Sequence, residues 1–508
     1  MVTQTALPGL TVEILHPPED PSPLRSDIAG VIGRTRRGPL GVPLRVNGWR
    51  DVVSQFGGLD TRFAAGYALR GYLDNGGQVA YVLRVGAGGR AAAGEWIIGN
   101  VPATAGFEHV QYNIEASSPG IWANETQVTI TYLTSGPLRQ HELSVRIEVP
   151  GESPEFFAGI SPKTVVEQVA TSRFIQITPD DAAGPPAPPA SGPSVKPWKI
   201  TLTDGADPVP GLEDYLQAAQ RLGEEVEVAL VLVPDLHPDL RSEAVSVLRA
   251  LLRDAVERQD RLVLVDLPAE QAEPAPAVAW VAGLRAGLEA ELLRAAAVYH
   301  PWVRVKDPLG GSRTPLRDVP PSGHVAGLAS RLDRERGAQH TPANALLADA
   351  VDVTIPFDRD QQAVVVAGGL NLVRCRPGRG LEVWGGRTLD TDPARTFIAH
   401  RRLLHRLVRA IRRVAEPLVF EPDGPVLRFA LVREISSVLL EAWRAGGLKG
   451  NTPEEGFRVR CDEGNNPPEL TELGQLQCEI LLAPAVPMEF VRILLTLAPQ
   501  GVLAVVEA

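Results

Sequence analysis

Three apolar runs separated by two amphipathic stretches constrain the middle of this chain more than any other feature. "EVALVLVPD" (227–235), "RLVLVDLP" (261–268) and "AAAVYHPWVRV" (295–305) read as buried strands. "RSEAVSVLRALLRDAVER" (241–258) and "AVAWVAGLRAGLEAEL" (277–292) read as the helices between them. Strands that are apolar throughout are covered on both faces, and parallel neighbours need a crossover between them. The alternation therefore predicts a parallel sheet covered by helices. An earlier segment has the same grammar. "IAGVIGRT" is a strand, "GWRDVVSQFGG" a short helix, "RFAAGYALRGYLDNGG" a longer helix stopped by glycines, and "QVAYVLRV" a returning strand.

The pattern changes after Val85. "HVQYNIEA", "QVTITYL", "HELSVRIEV" and "FIQIT" carry strand periodicity and turn residues, which predicts a β-rich insertion over 86–195. "DDAAGPPAPPASGPSVKP" closes it as a Pro-rich linker. The expected fold class is α/β and multidomain. It comprises an N-terminal arm (1–22), a discontinuous helix-covered α/β domain (23–85 and 196–358), the inserted, mostly β domain (86–195), and an α+β C-terminal domain (359–508). In the arm, "GLTVEIL" alternates Leu10, Val12 and Ile14 against Thr11 and Glu13. Pro-rich sequence flanks this single strand, so it must pair with another sheet, in this chain or a neighbour.

With 508 residues the chain is too long for one ordinary core. A net charge of -11 argues against a general nucleic-acid binder, whose phosphate contacts need a basic surface. Three widely spaced cysteines, Cys375, Cys461 and Cys478, fit a reducing compartment rather than a disulfide framework, and there is no CxxC pair for zinc. No run has the length and apolarity of a membrane span, and "MVTQTALPGLTVEIL" lacks the layout of a signal peptide. These features predict a soluble product assembled in the cytoplasm.

Candidate chemistry is thin. Gly30, Gly33, Gly38 and Gly41 follow a strand, but Pro39, Pro43 and extended sequence follow where a phosphate loop needs a helix N-terminus. Asp235, His237 and Asp266 stand at strand ends, where doubly wound enzymes place acids, yet no GxSxG elbow or Cys–His pair accompanies them. Ser322, His324 and Asp333 invite a triad reading that helical geometry disfavours. His400 and His405 are spaced wrongly for paired helical metal ligands. No cofactor or metal is expected.

Two C-terminal stretches carry more. The helix 394–415 has an apolar stripe of Phe397, Leu404, Val408 and Ile411, with Arg401, Arg402, Arg406, Arg409, Arg412 and Arg413 over much of the rest. Such a surface on an acidic protein is either solvated or meets an acidic partner. "NTPEEGFRVRCDEGNNPPEL" (451–470) first looks like an active-site loop. However, Phe457, Val459 and Cys461 alternate with arginines, and Leu476, Cys478 and Ile480 alternate in "QLQCEIL". The residues between suit a turn, so the stretch predicts adjoining strands with buried cysteines.

Several of these stretches together resemble the tail sheath proteins of contractile phage tails and phage-tail-like injection systems. They are "PGLTVEI", "IAGVIGRTRRGPLGVPLRVNGWRDVVSQFGG", "YALRGYLDNGGQVAYVLRV", "PPSGHVAGLASRLDRERGAQHTPAN", "GLNLVRCRPGRGLEVWGGRTL", the Arg-rich helix and "AGGLKGNTPEEGFRVRCDEGNNPPEL…GQLQCEILLAPAVPMEFV". The block 86–195 carries no clear resemblance.

The resemblance implies a non-enzymatic subunit that polymerises around an inner tube and contracts, driving the tube through a target envelope. It implies terminal strands added to neighbours' sheets. Leu10, Val12, Ile14, Phe490, Val491 and Ile493 are then candidate exchanged residues, and Val459, Cys461 and Cys478 belong to the receiving sheet. It implies that Arg401, Arg402, Arg406, Arg409 and Arg413 face the tube. The implied partners are further copies of the chain, the inner tube protein, and baseplate and terminal cap proteins, with no nucleic acid and no membrane insertion. The implied place is a phage tail or tail-like particle, assembled in the cytoplasm and sometimes released. The competing reading is an α/β hydrolase or nucleotide-binding enzyme with an inserted β domain.

Overall fold

The structure, a computed structural model, describes residues 25–98, 107–135, 140–180, 197–310, 315–393, 395–419, 421–485, 491–497 and 503–507. Its centre is a nine-stranded sheet. In chain order the strands are β1 (Ala29–Gly33), β2 (Pro43–Val46), β3 (Ala80–Arg84), β4 (Leu230–Leu232), β5 (Leu262–Val265), β6 (Ala296–His300), β7 (Ala345–Leu346), β8 (Asn371–Arg376) and β9 (Gly380–Trp384). Their spatial order is β7-β9-β8-β6-β5-β4-β1-β3-β2. The contiguous set from β8 to β3 is parallel, and β2, β9 and β7 add antiparallel edges.

Both faces of this sheet are covered, as the unbroken apolar runs require. Helices α1 (Ala65–Asp74), α2 (Leu212–Glu224), α3 (Ala244–Arg258), α4 (Pro274–Gly287) and α5 (Ser322–Arg336) supply most of the cover. Val231, Val263 and Val298 point into one core with α2, α3 and α4, while Leu230, Leu232, Leu264 and Tyr299 point into the other with α1 and α5. Helices α1 and α5 approach unusually closely. A methyl group built on Gly323 would lie 2.2 Å from the Ala68 carbonyl oxygen, and one on Gly327 would lie 2.2 Å from that of Tyr72. The GxxxG spacing in "SGHVAGL" thus serves backbone-to-backbone packing.

The β-rich segment forms two small sheets on one aromatic core built around Trp96, Tyr112, Trp122 and Phe174. Strand Trp198–Thr201, expected with the α/β domain, pairs instead with Gln127–Ile130. The sheet of this unit therefore extends past residue 195. Arg37 locks the unit to the α/β layer. It is 2% exposed, donates to Glu152 at 2.7 Å and to the Val53 carbonyl at 2.8 Å, and lies 4.9 Å from the Phe174 ring centroid.

The C-terminal part also begins later than expected. β8 and β9 belong to the large sheet, so its hydrogen bonding runs well past residue 358. Beyond them α6 (Ile398–Ala415) and α7 (Pro425–Arg444) pack on a four-stranded antiparallel sheet. Its strands are β10 (Phe457–Arg460), β11 (Leu476–Leu482), β12 (Val491–Leu497) and β13 (Leu503–Glu507), in that spatial order.

Candidate functional site

The acids at the strand ends are committed to the fold. Asp235 follows β4 and is buried, accepting backbone N–H bonds from Arg34 at 3.0 Å, Ala64 at 2.5 Å and Ala65 at 3.2 Å. It ties the end of β1 to the start of α1. Chain order reverses beside β1, the point where open α/β sheets bind ligands, and here a carboxylate of the chain occupies the helix N-terminus. Burial raises its carboxyl to about 6 despite those bonds. Asp266, after β5, accepts from the Ser322 N–H at 3.2 Å and the Ser322 hydroxyl at 2.5 Å, and so caps α5. Burial pushes it up to about 7.

The triad reading separates in space. Ser322 is bound to Asp266, Asp333 pairs with Arg402, and neither ring nitrogen of fully buried His324 has a hydrogen-bond partner among the described residues. His237 packs edge-on to Trp280 at 5.3 Å. The glycine-rich turn after β1 meets the β-rich unit: Gly38 N–H donates to Ser118 Oγ, and Arg84 donates to the Gly38 carbonyl. Among the described residues, no group of three or more His, Cys, Asp or Glu could hold a metal ion.

The Arg-rich helix requires the main correction. Arg401, Arg402 and Arg409 are 4%, 3% and 3% exposed, so they face this chain's own core rather than an outside tube. Arg402 donates to the Ser26 carbonyl at 2.9 Å and to Asp333 at 2.5 Å. Arg409 donates to the carbonyls of Asp260, Arg25, Glu227 and Val228. Beside it, Arg412 donates to the Arg258 carbonyl at 2.5 Å. The guanidinium forks satisfy carbonyls at the N-terminal edge of the parallel sheet and clamp the C-terminal unit to it. His405, buried among Arg401, Arg402, Arg409 and Arg294, is held well below its ordinary value by burial and then by these cations. His400 is also buried.

Arg406 and Arg413 differ. Both are exposed and line a groove of about 450 Å³ between α6 and α7. Its floor includes Leu407 and Val438, and Glu434 and Glu441 stand on its other side.

The strand assignments near the C-terminus hold locally. Val459 pairs with Ile480, and Cys461 and Cys478 are buried. Val491 and Ile493 lie in β12, opposite Leu482 and Ile480 of the same chain. In the single chain these strands pair in cis. Leu10, Val12, Ile14 and Phe490 lie outside the described residues.

Known proteins share parts of this arrangement. Residues 209–389, which hold β4, β5, β6, β8 and β9, match the phage tail sheath protein central domain. This segment is similar to a phage tail sheath central domain. A tail sheath protein of Vibrio phage KVP40 is 24% identical over 394 residues, covering 72% of this chain. The match spans 56% of that relative's length. The sheath tail protein of Listeria innocua shares the fold at a TM-score of 0.66 and 12% identity, over 94% of this chain and 96% of that one. The anti-feeding prophage helical sheath in its contracted state matches at a TM-score of 0.53 and 22% identity, over 96% of this chain and 98% of that one. The α/β multidomain architecture is therefore that of sheath proteins.

Proposed function

We propose that this chain is a sheath subunit that polymerises around an inner tube and contracts to drive the tube through a target envelope. The observation that carries the reading is the sheath central domain set within a chain whose whole described fold follows that of a contracted sheath. The buried clamp between α6 and the parallel sheet supports it, because a subunit that transmits force needs its parts to move together. Asp235 and Asp266, the best candidates for the hydrolase alternative, already hold helix ends.

In this reading the tube contact falls to Arg406 and Arg413 at the α6–α7 groove. The C-terminal strands, paired in cis here, exchange into a neighbour's sheet on assembly by strand addition. Copies of the chain, the inner tube protein, and baseplate and cap proteins are its partners in a tail or tail-like particle.

Sedimentation of the expressed full-length chain tests the proposal. Polymerisation predicts salt-dependent species far larger than one subunit. A monodisperse monomer at every concentration and ionic strength, with its tube protein present, would sink the reading. Reversing Arg406 and Arg413 to Glu should block assembly on the tube and leave the melting temperature unchanged.

A further inference from the structure

Two of the three cysteines face each other across a strand pair. β10 and β11 are antiparallel, with Arg460 opposite Glu479. One step further along that register sets Cys461 opposite Cys478. Directly opposed residues in an antiparallel pair have Cα atoms about 4.5–5.5 Å apart, inside the range a disulfide spans. Both side chains are buried, Cys461 at 8% and Cys478 at 1% exposure, in one cluster with Leu427 and Leu431. Both are free thiols. The third, Cys375, is exposed on β8 in the other sheet.

The surroundings distinguish the two sulfurs. Cys461 and Cys478 share a side-chain hydrogen bond, and Asn466 Nδ2 lies 4.0 Å from Cys461 Sγ. That hydrogen bond holds the Cys461 thiol below its ordinary value; burial opposes it and the Arg428 charge assists. The same bond, together with burial, raises Cys478. Cys461, at 8% exposure against 1% for Cys478, is the sulfur an incoming disulfide reaches first, so it is the nucleophile and Cys478 the resolving thiol.

We propose that Cys461 and Cys478 form a reversible redox pair that closes into a cross-strand disulfide when the protein meets an oxidising disulfide pool. The Cys461 thiolate attacks one sulfur of a small disulfide such as oxidised glutathione, whose S–S bond breaks to release one thiolate. Cys478 then loses its proton, attacks the Cys461 sulfur and releases the second thiolate. Two electrons and two protons leave the protein pair, and one disulfide is reduced to two thiols. β10 is the edge strand of its sheet, and β11 carries the β12–β13 hairpin. The bridge would tie that edge to the sheet interior and close the loop 462–477. It would stiffen the C-terminal unit in an oxidising medium and relax it in a reducing one.

The test treats the full-length chain with oxidised glutathione, then counts thiols after denaturation and maps peptides without reduction. Cys461 and Cys478 are expected to be lost as free thiols in every chain, whether or not exposed Cys375 takes up glutathione. Also expected are a linked peptide joining Cys461 to Cys478, a higher melting temperature, and recovery of all three thiols with dithiothreitol. Cys375→Ser should still lose both remaining thiols. Cys478→Ala should trap glutathione on Cys461. Glutathione on Cys375 alone, with Cys461 and Cys478 left reduced, would overturn the proposal, as would cross-links only between chains.

Discussion

Arg402 on α6 and Asp333 on α5 form an ion pair at 2.5 Å with each side chain 3% exposed. The pair joins the C-terminal unit to a helix lying on the central sheet. Removing one member of such a pair leaves a buried charge uncompensated, which costs about 3–5 kcal/mol. Arg402→Ala is expected to destabilise the subunit by that order in urea denaturation. Arg402→Met with Asp333→Leu should recover most of the loss, because two apolar groups replace two desolvated charges. An Arg402→Ala variant as stable as the parent would mean that the clamp is ornamental.

Asp266 and His324 titrate with opposite sign. Burial raises Asp266 from 3.8 to about 7, so the stability it contributes is complete below the unfolded value and is lost as pH rises through about 7. Burial lowers His324 from 6.5 to about 4, so its contribution is present above 6.5 and is lost as pH falls through about 4. Asp266→Asn should therefore gain on the parent as pH rises from 4 to 7.5, and His324→Leu should gain as pH falls from 7 to 4. Each difference should be of the order of 3 kcal/mol, since a tenfold shift in proton affinity is worth ~1.4 kcal/mol. Denaturant midpoints measured across this range decide both. Differences that do not change with pH would show that neither group is perturbed as described.

Gly327 sits against the Tyr72 carbonyl, where an added methyl group would lie 2.2 Å from the oxygen. The neighbour is backbone, so helices α1 and α5 must separate. Gly327→Ala should lower stability by roughly 1–3 kcal/mol, the usual scale of overpacking. The effect should appear as faster amide exchange in α1 as well as α5. Unchanged exchange in α1 would place the strain elsewhere.

Arg37 reaches from the α/β layer to Glu152 in the β-rich unit and lies beside the Phe174 ring. Lysine keeps the charge but loses the fork that also holds the carbonyls of Val53 and Ser54. Arg37→Lys is expected to raise protease cleavage around 117–122 and 172–174 several-fold, with the nine-stranded sheet unaffected. Equal cleavage of both proteins would show that other contacts hold the unit.

The parallel sheet, the β-rich insertion and the β10–β11 pair were legible because apolar periodicity directly reports which faces are buried. Partner choice was not legible. Trp198–Thr201 is a four-residue strand whose sequence does not say which sheet it joins, and β8 lies far along the chain from its neighbour β6. The arginines of α6 misled for a different reason. An apolar stripe identifies the core-facing side, but it cannot tell a polar flank that meets solvent from one that meets carbonyls. Arg402 and Arg409 took the second role because distant segments, 25–26, 227–228 and 260, end there with acceptors to satisfy. The roles of Asp235 and Asp266 were hidden likewise, since their partners lie far away in sequence.

A tubular sheath built by this chain would be visible directly. Negative-stain electron microscopy of the full-length protein, expressed alone and with its tube protein, tests it most directly. Hollow cylinders of regular axial repeat are expected, lost when Arg406 and Arg413 are both Glu and the tube protein is present. Discrete globular particles under every condition, from a protein that is folded by circular dichroism, would contradict it.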